Sequence, residues 1–487
     1  MATRHYYSPR AALGAAALAA VLVLPASATA GRHTHTTAGG PQAPVQAPAL
    51  YGAAPPISAR DRIYTADQTS NTVTVINPAT NQVLGTIPLG DERVGHLLSP
   101  LYFRQANVHG LGFSRDGRLL DVIDVTTNAV VLIDTATNRV VRTFYVGRAP
   151  HEGFISPDGR QVWVAVRGQD YVAVLDIASG REVDRIQTEP GPSKVVFSPD
   201  GRLAYVNHER ANVLDVIDVA SRRIGARITG LAGAFSSDEA ISPDGKEVWA
   251  ADKMTGETTV VDAVHFQVLA ILHTGPGTNH PNFVSTRTGN YTYVTVGDTN
   301  DTLVYRRDGA HPVLVTRIHD TGADPHGLWP SPDNTRVYVA LEKAAAVDVI
   351  DTATMRVIAT LHVGEGSQAL VYVADAVPQG AGMQGLTRQG LDKRTMTLTA
   401  PVGGTGSMAE VTVSAAKGLD QIDVAAAKLP PGALFTVYGV LVSDTRIKVP
   451  LMDVTATPAG KVEDALAFTK FFGVYSGVVI APTGQPV

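Results

Sequence analysis

Residues Asp324–Gly364 read DPHGLWPSPDNTRVYVALEKAAAVDVIDTATMRVIATLHVG, and this stretch decides the fold. It holds four short apolar runs separated by turn signals. The run at 328–330 stops at Ser331-Pro332-Asp333-Asn334, where proline fixes φ and asparagine tolerates the positive φ that follows. Arg336–Leu341 alternates β-branched and aromatic residues, as a half-buried strand does. Glu342-Lys343-Ala344 breaks it, Ala346–Ile350 resumes, and Asp351-Thr352-Ala353-Thr354 turns again before Arg356–Val363. Each run is too short for a helix and too β-branched to prefer one. The unit is four antiparallel strands.

The same plan fills most of the preceding chain. The turn recurs at Ser114–Gly117, Ser156–Gly159, Ser198–Gly201 and Ser242–Gly245, with a degraded copy at Thr286–Gly289. Successive glycines are 42, 42, 44 and 44 residues apart, within the ~40–45 of a four-stranded propeller blade. A second marker, an Ile-Asp-x-Ala-Thr type turn, follows at 76–80, 133–137, 175–179, 217–221 and 350–354.

Val162–Val166 (VWVAV), Ala204–Asn207 (AYVN) and Tyr293–Val296 (YVTV) carry a resemblance to the YVTN β-propeller repeat proteins across Arg62–Ala376. The wider group includes surface-layer propellers and the propeller of nitrous oxide reductase. The resemblance implies a propeller fold and leaves activity open, because one fold hosts many functions.

The expected architecture is all-β: a seven-bladed β-propeller of four-stranded blades, closed by a C-terminal strand and followed by a small β-sandwich-like domain. Arg62–Gly90 supplies three strands, and later blades begin near Asn107, Ala149, Gly191, Phe235, Asn279 and Asp324. Gln368–Ala374 then has no successor of its own and fits as the missing innermost strand of the first blade, which removes the open edges of the ring. The inserted loop Asp91–Ala106, with His96, Tyr102 and Phe103, exceeds the other connections and is a candidate functional loop. Expected boundaries are 1–30 signal peptide, 31–57 flexible arm, 58–377 propeller, 378–393 linker and 394–487 small all-β domain. In the last, strands are expected at Thr395–Ala400, Glu410–Ala415, Leu434–Leu441, Arg446–Val454, Leu466–Phe471 and Val474–Ala481.

A net charge of −5 and a pI near 6.3 argue against nucleic acid as partner. Arg4, His5 and Arg10 precede the Ala11–Leu24 apolar run, and Ala28-Thr29-Ala30 offers a cleavage site. The expectation is export to the periplasm, cell surface or medium, with no membrane span in the mature protein. With no cysteine in the chain, disulfides, thiolate metal sites and a lipid-anchored cysteine are absent. His33 and His35 sit in the arm as adventitious metal binders at most. Nucleophile-elbow, P-loop, HExxH and haem-attachment motifs are missing.

Chemistry is expected at one mouth of the channel, where inner strands start and where the loops between second and third strands return. Blades two, three, six and seven bring His109, His151, His280 and His326, the candidate metal ligands. His280 is displaced by one residue, and a small bulge is expected to realign it. Around them stand Arg148, Glu152, Arg167, Lys194, His208, Asp238, Glu239, Asn282 and Gln368 as candidate ligand-binding residues. Such a funnel of imidazoles and carboxylates can hold Cu, Zn or Mn. The resemblance implies a histidine-bound copper cluster at this end, but Lys194 and Gln368 interrupt the full ring of histidines, so that activity is not carried over. A histidine at a blade start can equally cap neighbouring loop backbone. Trp163, Trp249 and Trp329 are read as packing between blades.

The reading placed first is a non-enzymatic exported propeller that binds a small ligand, a metal ion or a protein on this face. The second is a lactonase or metal-dependent lyase at the same mouth, with His151 or His326 as acid/base. The third is a surface structural or adhesive protein that contacts the cell envelope through its C-terminal domain.

Overall fold

One turn chemistry builds the blades. The Ser156 hydroxyl donates to Asp158 Oδ1 (2.6 Å), its oxygen accepts the Gln161 N–H (3.0 Å), and Gly159 takes φ 72°. The pattern repeats at Ser114, Ser198, Ser242 and Ser331. In the last of these Asn334 occupies the left-handed position at φ 61°, as its short polar side chain allows.

The structure, a computed structural model, describes residues 49–89, 107–387, 389, 393–399, 406–416, 419–469 and 475–484. Seven four-stranded antiparallel sheets form the blades. Blade two, for example, consists of Val108–Phe113, Leu119–Asp124, Ala129–Asp134 and Arg139–Tyr145. The inner strands of blades three to seven are Pro150–Ile155, Pro192–Phe197, Ser236–Ile241, Thr278–Thr286 and Pro325–Pro330. Inner strands are buried on both faces, whereas outer strands such as Arg181–Gln187 alternate with exposed charged residues. That contrast is the two-faced patterning of a sheet packed between neighbours and ending in solvent.

Closure is as expected. Ser367–Val373 pairs antiparallel with Arg62–Asp67, placing Ile63 opposite Tyr372. The Tyr372 hydroxyl donates to Asp61 Oδ2 at 2.7 Å, which ties the two ends of the ring.

Segments expected to be loose are pinned where they are described. Asn334 Nδ2 donates to Ala49 O (2.7 Å) and Ile57 N to Asp333 Oδ2 (3.2 Å), so the end of the N-terminal arm lies along blade seven. Beyond the ring, Arg62 Nη2 reaches Ala381 O (2.7 Å), Asn138 Nδ2 reaches Gly382 O and Gln384 O (2.9 Å each), and Thr387 exchanges backbone hydrogen bonds with Thr86. The expected linker therefore follows blades one and two as far as Thr387. The expected signal peptide, His33, His35, His96, Tyr102 and Phe103 lie outside the described residues.

The C-terminal strands form a four-stranded sheet (Lys393–Thr399, Met408–Ala416, Leu419–Ala427, Val462–Thr469) and a three-stranded one (Lys448–Thr455, Leu434–Leu441, Tyr475–Pro482). Val411, Val413, Ile422 and Val424 of the first pack with Phe435, Val437, Val454 and Val478 of the second in one core. Leu419–Ala427 was not foreseen. Its run of three alanines weakens β-propensity, yet Ile422 and Val424 alternate inward.

Trp163 and Trp249 pack edge-on against Phe197 and Phe283 of the following blades, as expected. Trp329 behaves differently. It stacks on Phe154 (5.9 Å) and meets Phe113 edge-on (5.6 Å), joining blades seven, three and two across the channel.

Candidate active site at the channel mouth

Each inner strand begins with a bulge against its partner strand. The two bulge positions stack as two layers at the mouth. The outer layer holds His109, His151, Ser193, Ser237, Asn279, His326 and Gln368. The inner layer holds Gly110, Glu152, Lys194, Asp238, His280, Gly327 and Ala369. Because every blade has the bulge, it does not realign His280, which belongs to the inner layer with Glu152, Lys194 and Asp238. Glycine follows His109 and His326 for a steric reason: a Cβ at Gly110 would sit 2.5 Å from His151 O, and one at Gly327 2.5 Å from Gln368 O.

The outer layer is laced to the next blade. His151 Nδ1 lies 2.9 Å from Ser193 O and 3.1 Å from Ser193 Oγ, whose own proton goes to Ser237 O (3.0 Å). His326 Nδ1 lies 3.0 Å from Gln368 O. A carbonyl accepts only, so both imidazoles carry their proton on Nδ1 and present a lone pair at Nε2. Capping of neighbouring backbone and an available base thus coexist in one side chain.

Opposite those lone pairs stand carboxylates from the loops between second and third strands. His151 Nε2 is 3.6 Å from Glu209 Oε1, which Arg167 Nη1 holds at 3.0 Å. His326 Nε2 is 3.8 Å from Glu342 Oε2 and 3.4 Å from the Gln368 amide, while Gln68 donates to Glu342 Oε1 at 2.6 Å. Burial holds the His151 and His326 imidazoles well below their ordinary range, and it lowers His109 to about 3. These side chains are neutral bases at pH 7. A proton arriving at His151 Nε2 would be stabilised by Glu209. The rings pair as His109–His151 (4.3 Å between centroids) and His280–His326 (4.5 Å).

The inner layer is ionic. Lys194 Nζ lies 2.7 Å from Asp238 Oδ2 and 3.3 Å from Glu152 Oε2, and His280 Nε2 lies 3.1 Å from Asp238 Oδ2 and 3.7 Å from Glu152 Oε1. Burial opposes charge on Glu152, but Lys194 and His280 outweigh it and hold that carboxyl well below the usual range. Asp238 is pushed up to about 6 by burial, despite the same neighbours. Burial lowers Lys194, and its two carboxylates more than reverse that, so the ammonium stays charged. Among the described residues, Glu152, Asp238 and His280 are a set whose donor atoms converge closely enough for a metal ion.

Three expected site residues lie elsewhere. His208 is wholly buried inside blade four, with Nδ1 3.2 Å from Val213 O and Nε2 3.5 Å from Asp215 Oδ2, because its strand turns it toward the third strand. Glu239 takes the position that Val195 and Leu328 hold in other blades. Neither of its buried oxygens has a hydrogen-bond partner of good geometry, and burial pushes its carboxyl well above the usual range. Asn282 donates to Leu328 O (3.1 Å) and braces blade six against blade seven. Arg148 stays at the exposed rim, bonded to Gly168 O (3.0 Å). Glu209 and Glu342 were expected at this mouth, on the loops that return to it, but not as ligand-binding residues, and Gln68 was not foreseen. All three share one loop position with Arg167 and Lys253, a regularity readable from the repeat.

Residues 132–353 match the family model described as Lactonase, 7-bladed beta-propeller. The span is under half of the chain and contains His151, Glu152, Arg167, Lys194, Glu209, Asp238, His280, His326 and Glu342. No curated protein matches the chain. The periplasmic gluconolactonase PpgL of Pseudomonas aeruginosa is similar at 20% identity and TM-score 0.51, over 64% of this chain and 99% of that one. A functionally unknown protein from Desulfotomaculum acetoxidans is similar at 13% identity and TM-score 0.54, over 64% of this chain and 98% of that one. At such identities the two structures speak to fold alone. With the seven sheets and the family model, they support a seven-bladed propeller.

Proposed function

We propose that the channel mouth opens a lactone ring by hydrolysis, with His151 as general base. The observation that carries this is the His151–Glu209–Arg167 array, in which a tautomer-locked imidazole turns its free Nε2 toward a carboxylate. Water loses a proton to Nε2 as its oxygen attacks the lactone carbonyl. The imidazolium, steadied by Glu209, then protonates the ring oxygen as the acyl–oxygen bond breaks. The products are a carboxylate and a hydroxyl group. His326 and Glu342 repeat the arrangement, but the Gln368 amide already engages that Nε2, which favours His151.

The family model and the gluconolactonase neighbour weight an enzyme above the binding reading that the residues alone placed first. Export fits a neighbour described as periplasmic and an N-terminal stretch patterned as a signal. Among the described residues no helix is long and apolar enough to cross a membrane. The test is pH-stat titration of acid release from five- and six-membered lactones, including gluconolactone. Saturable turnover supports the proposal. Acid release at the buffer rate for every lactone overturns it and returns the face to binding.

A further inference from the structure

The inner layer at the mouth carries an assignment that goes beyond lactone hydrolysis and does not rest on it. We propose that Glu152, Asp238 and His280 form a transition-metal cage whose resident cation is the Lys194 ammonium. The donor spacing suits a metal. Asp238 Oδ2 and His280 Nε2 are 3.1 Å apart, and His280 Nε2 and Glu152 Oε1 are 3.7 Å apart. Ligands about 2.1 Å from one Zn²⁺ stand at roughly those separations along the edges of a tetrahedron. Two carboxylates and one imidazole form a donor set that zinc accepts.

The cage is buried and its polar atoms are underused. Glu152, Asp238 and His280 are each no more than 5% exposed. Neither His280 nitrogen has a hydrogen-bond partner of good geometry, and Asp238 Oδ1 has none. Lys194 Nζ lies against both carboxylates, 2.7 Å from Asp238 Oδ2 and 3.3 Å from Glu152 Oε2. A covalently attached ammonium lets the carboxylates stay ionised in a low-dielectric layer without recruiting an ion from solution. The same ammonium engages Asp238 Oδ2, an oxygen that a metal beside His280 would need. Lysine at this layer of blade four is therefore the residue that decides between a metal-free and a metal-bearing mouth.

The experiment is calorimetric titration of the untagged chain with Zn²⁺, using wild type, Lys194→Ala, His280→Ala and the Lys194→Ala/His280→Ala double variant. Wild type and His280→Ala should bind the same number of zinc ions. Lys194→Ala should gain one further equivalent, at least about tenfold tighter than surface binding. The double variant should lose that gain. If Lys194→Ala folds only with Zn²⁺, recovery of native circular dichroism on refolding with zinc reads the same gain. Zinc bound by wild type and lost in His280→Ala overturns the assignment. So does a Lys194→Ala chain that gains no zinc, or that zinc does not refold. None of these readouts uses lactone turnover, so failure here and failure of the hydrolase reading are separate results.

Discussion

Acidification should unfold this propeller through its buried imidazoles, and His109 isolates the effect. Burial lowers its pKa from the ordinary 6.5 to about 3, so below neutrality the unfolded chain binds a proton that the folded chain refuses. Stability is then fully present above pH 6.5 and is lost as pH falls toward 3. One proton gives a slope of about 1.4 kcal/mol per pH unit, and at pH 5 the accumulated loss is about 2 kcal/mol. Asp238, raised to about 6, works in the opposite sense between pH 6 and 4, but it is common to wild type and variant. The perturbation is His109→Asn. His109 Nδ1 makes no hydrogen bond, so the amide forfeits none there. Urea unfolding at pH 8, 6 and 5 gives ΔG for both chains. The gap between them should shift in the variant's favour by about 2 kcal/mol from pH 8 to pH 5. Parallel profiles would refute the reasoning, because His109 would then not be held neutral by burial.

Other outcomes follow from single contacts. Tyr372→Phe removes a hydrogen bond to the buried Asp61 carboxylate and should cost about 1.5–3 kcal/mol in urea unfolding; a loss under 0.5 kcal/mol counts against that bond as a closure tie. Gly327→Ala forces a Cβ within 2.5 Å of Gln368 O, and thermal melting should show a loss of about 1–3 kcal/mol. An unchanged melting temperature would mean that the blade seven–blade one contact yields freely. Trp329→Ala opens the aromatic cluster across the channel and should cost about 3–5 kcal/mol, read by the same unfolding assay; a loss near zero would show that the indole does not bridge the blades.

The repeat was legible because its signals are local. Serine, aspartate and a residue of positive φ must lie within four positions to make the turn at Ser156–Gly159, and the strand periods around them are equally short-range. Closure by Ser367–Val373 could be inferred because a three-stranded first blade leaves an edge that needs a partner. Leu419–Ala427 escaped because its alanines give little local preference, and the second sheet of the sandwich decides it instead.

The site was legible as a face but not as contacts. Counting from the turn serine placed His109, His151 and His326 together. The layer that His280 occupies is set by how its strand pairs with the neighbouring one, Thr278 with Val296 and Pro281 with Val294, which residue spacing does not report. His208 and Glu239 have the side chains of a polar funnel, yet their position in the pleat turns them into blade interiors. The partnership of Lys194 with both Glu152 and Asp238 joins three different blades, a relation that no single repeat contains. Glu209 reaches His151 across a blade boundary for the same reason.

The most direct measurement is kcat/KM for lactone hydrolysis in wild type, His151→Asn and His208→Asn, followed by pH-stat. His151 turns a free Nε2 to the channel mouth, and His208 is an equally buried histidine inside blade four. Loss of about a hundredfold or more in His151→Asn, with His208→Asn within a few-fold of wild type at a temperature where both are folded, is the predicted result. Equal rates in all three chains, or equal losses in both variants, would contradict hydrolysis at the channel mouth.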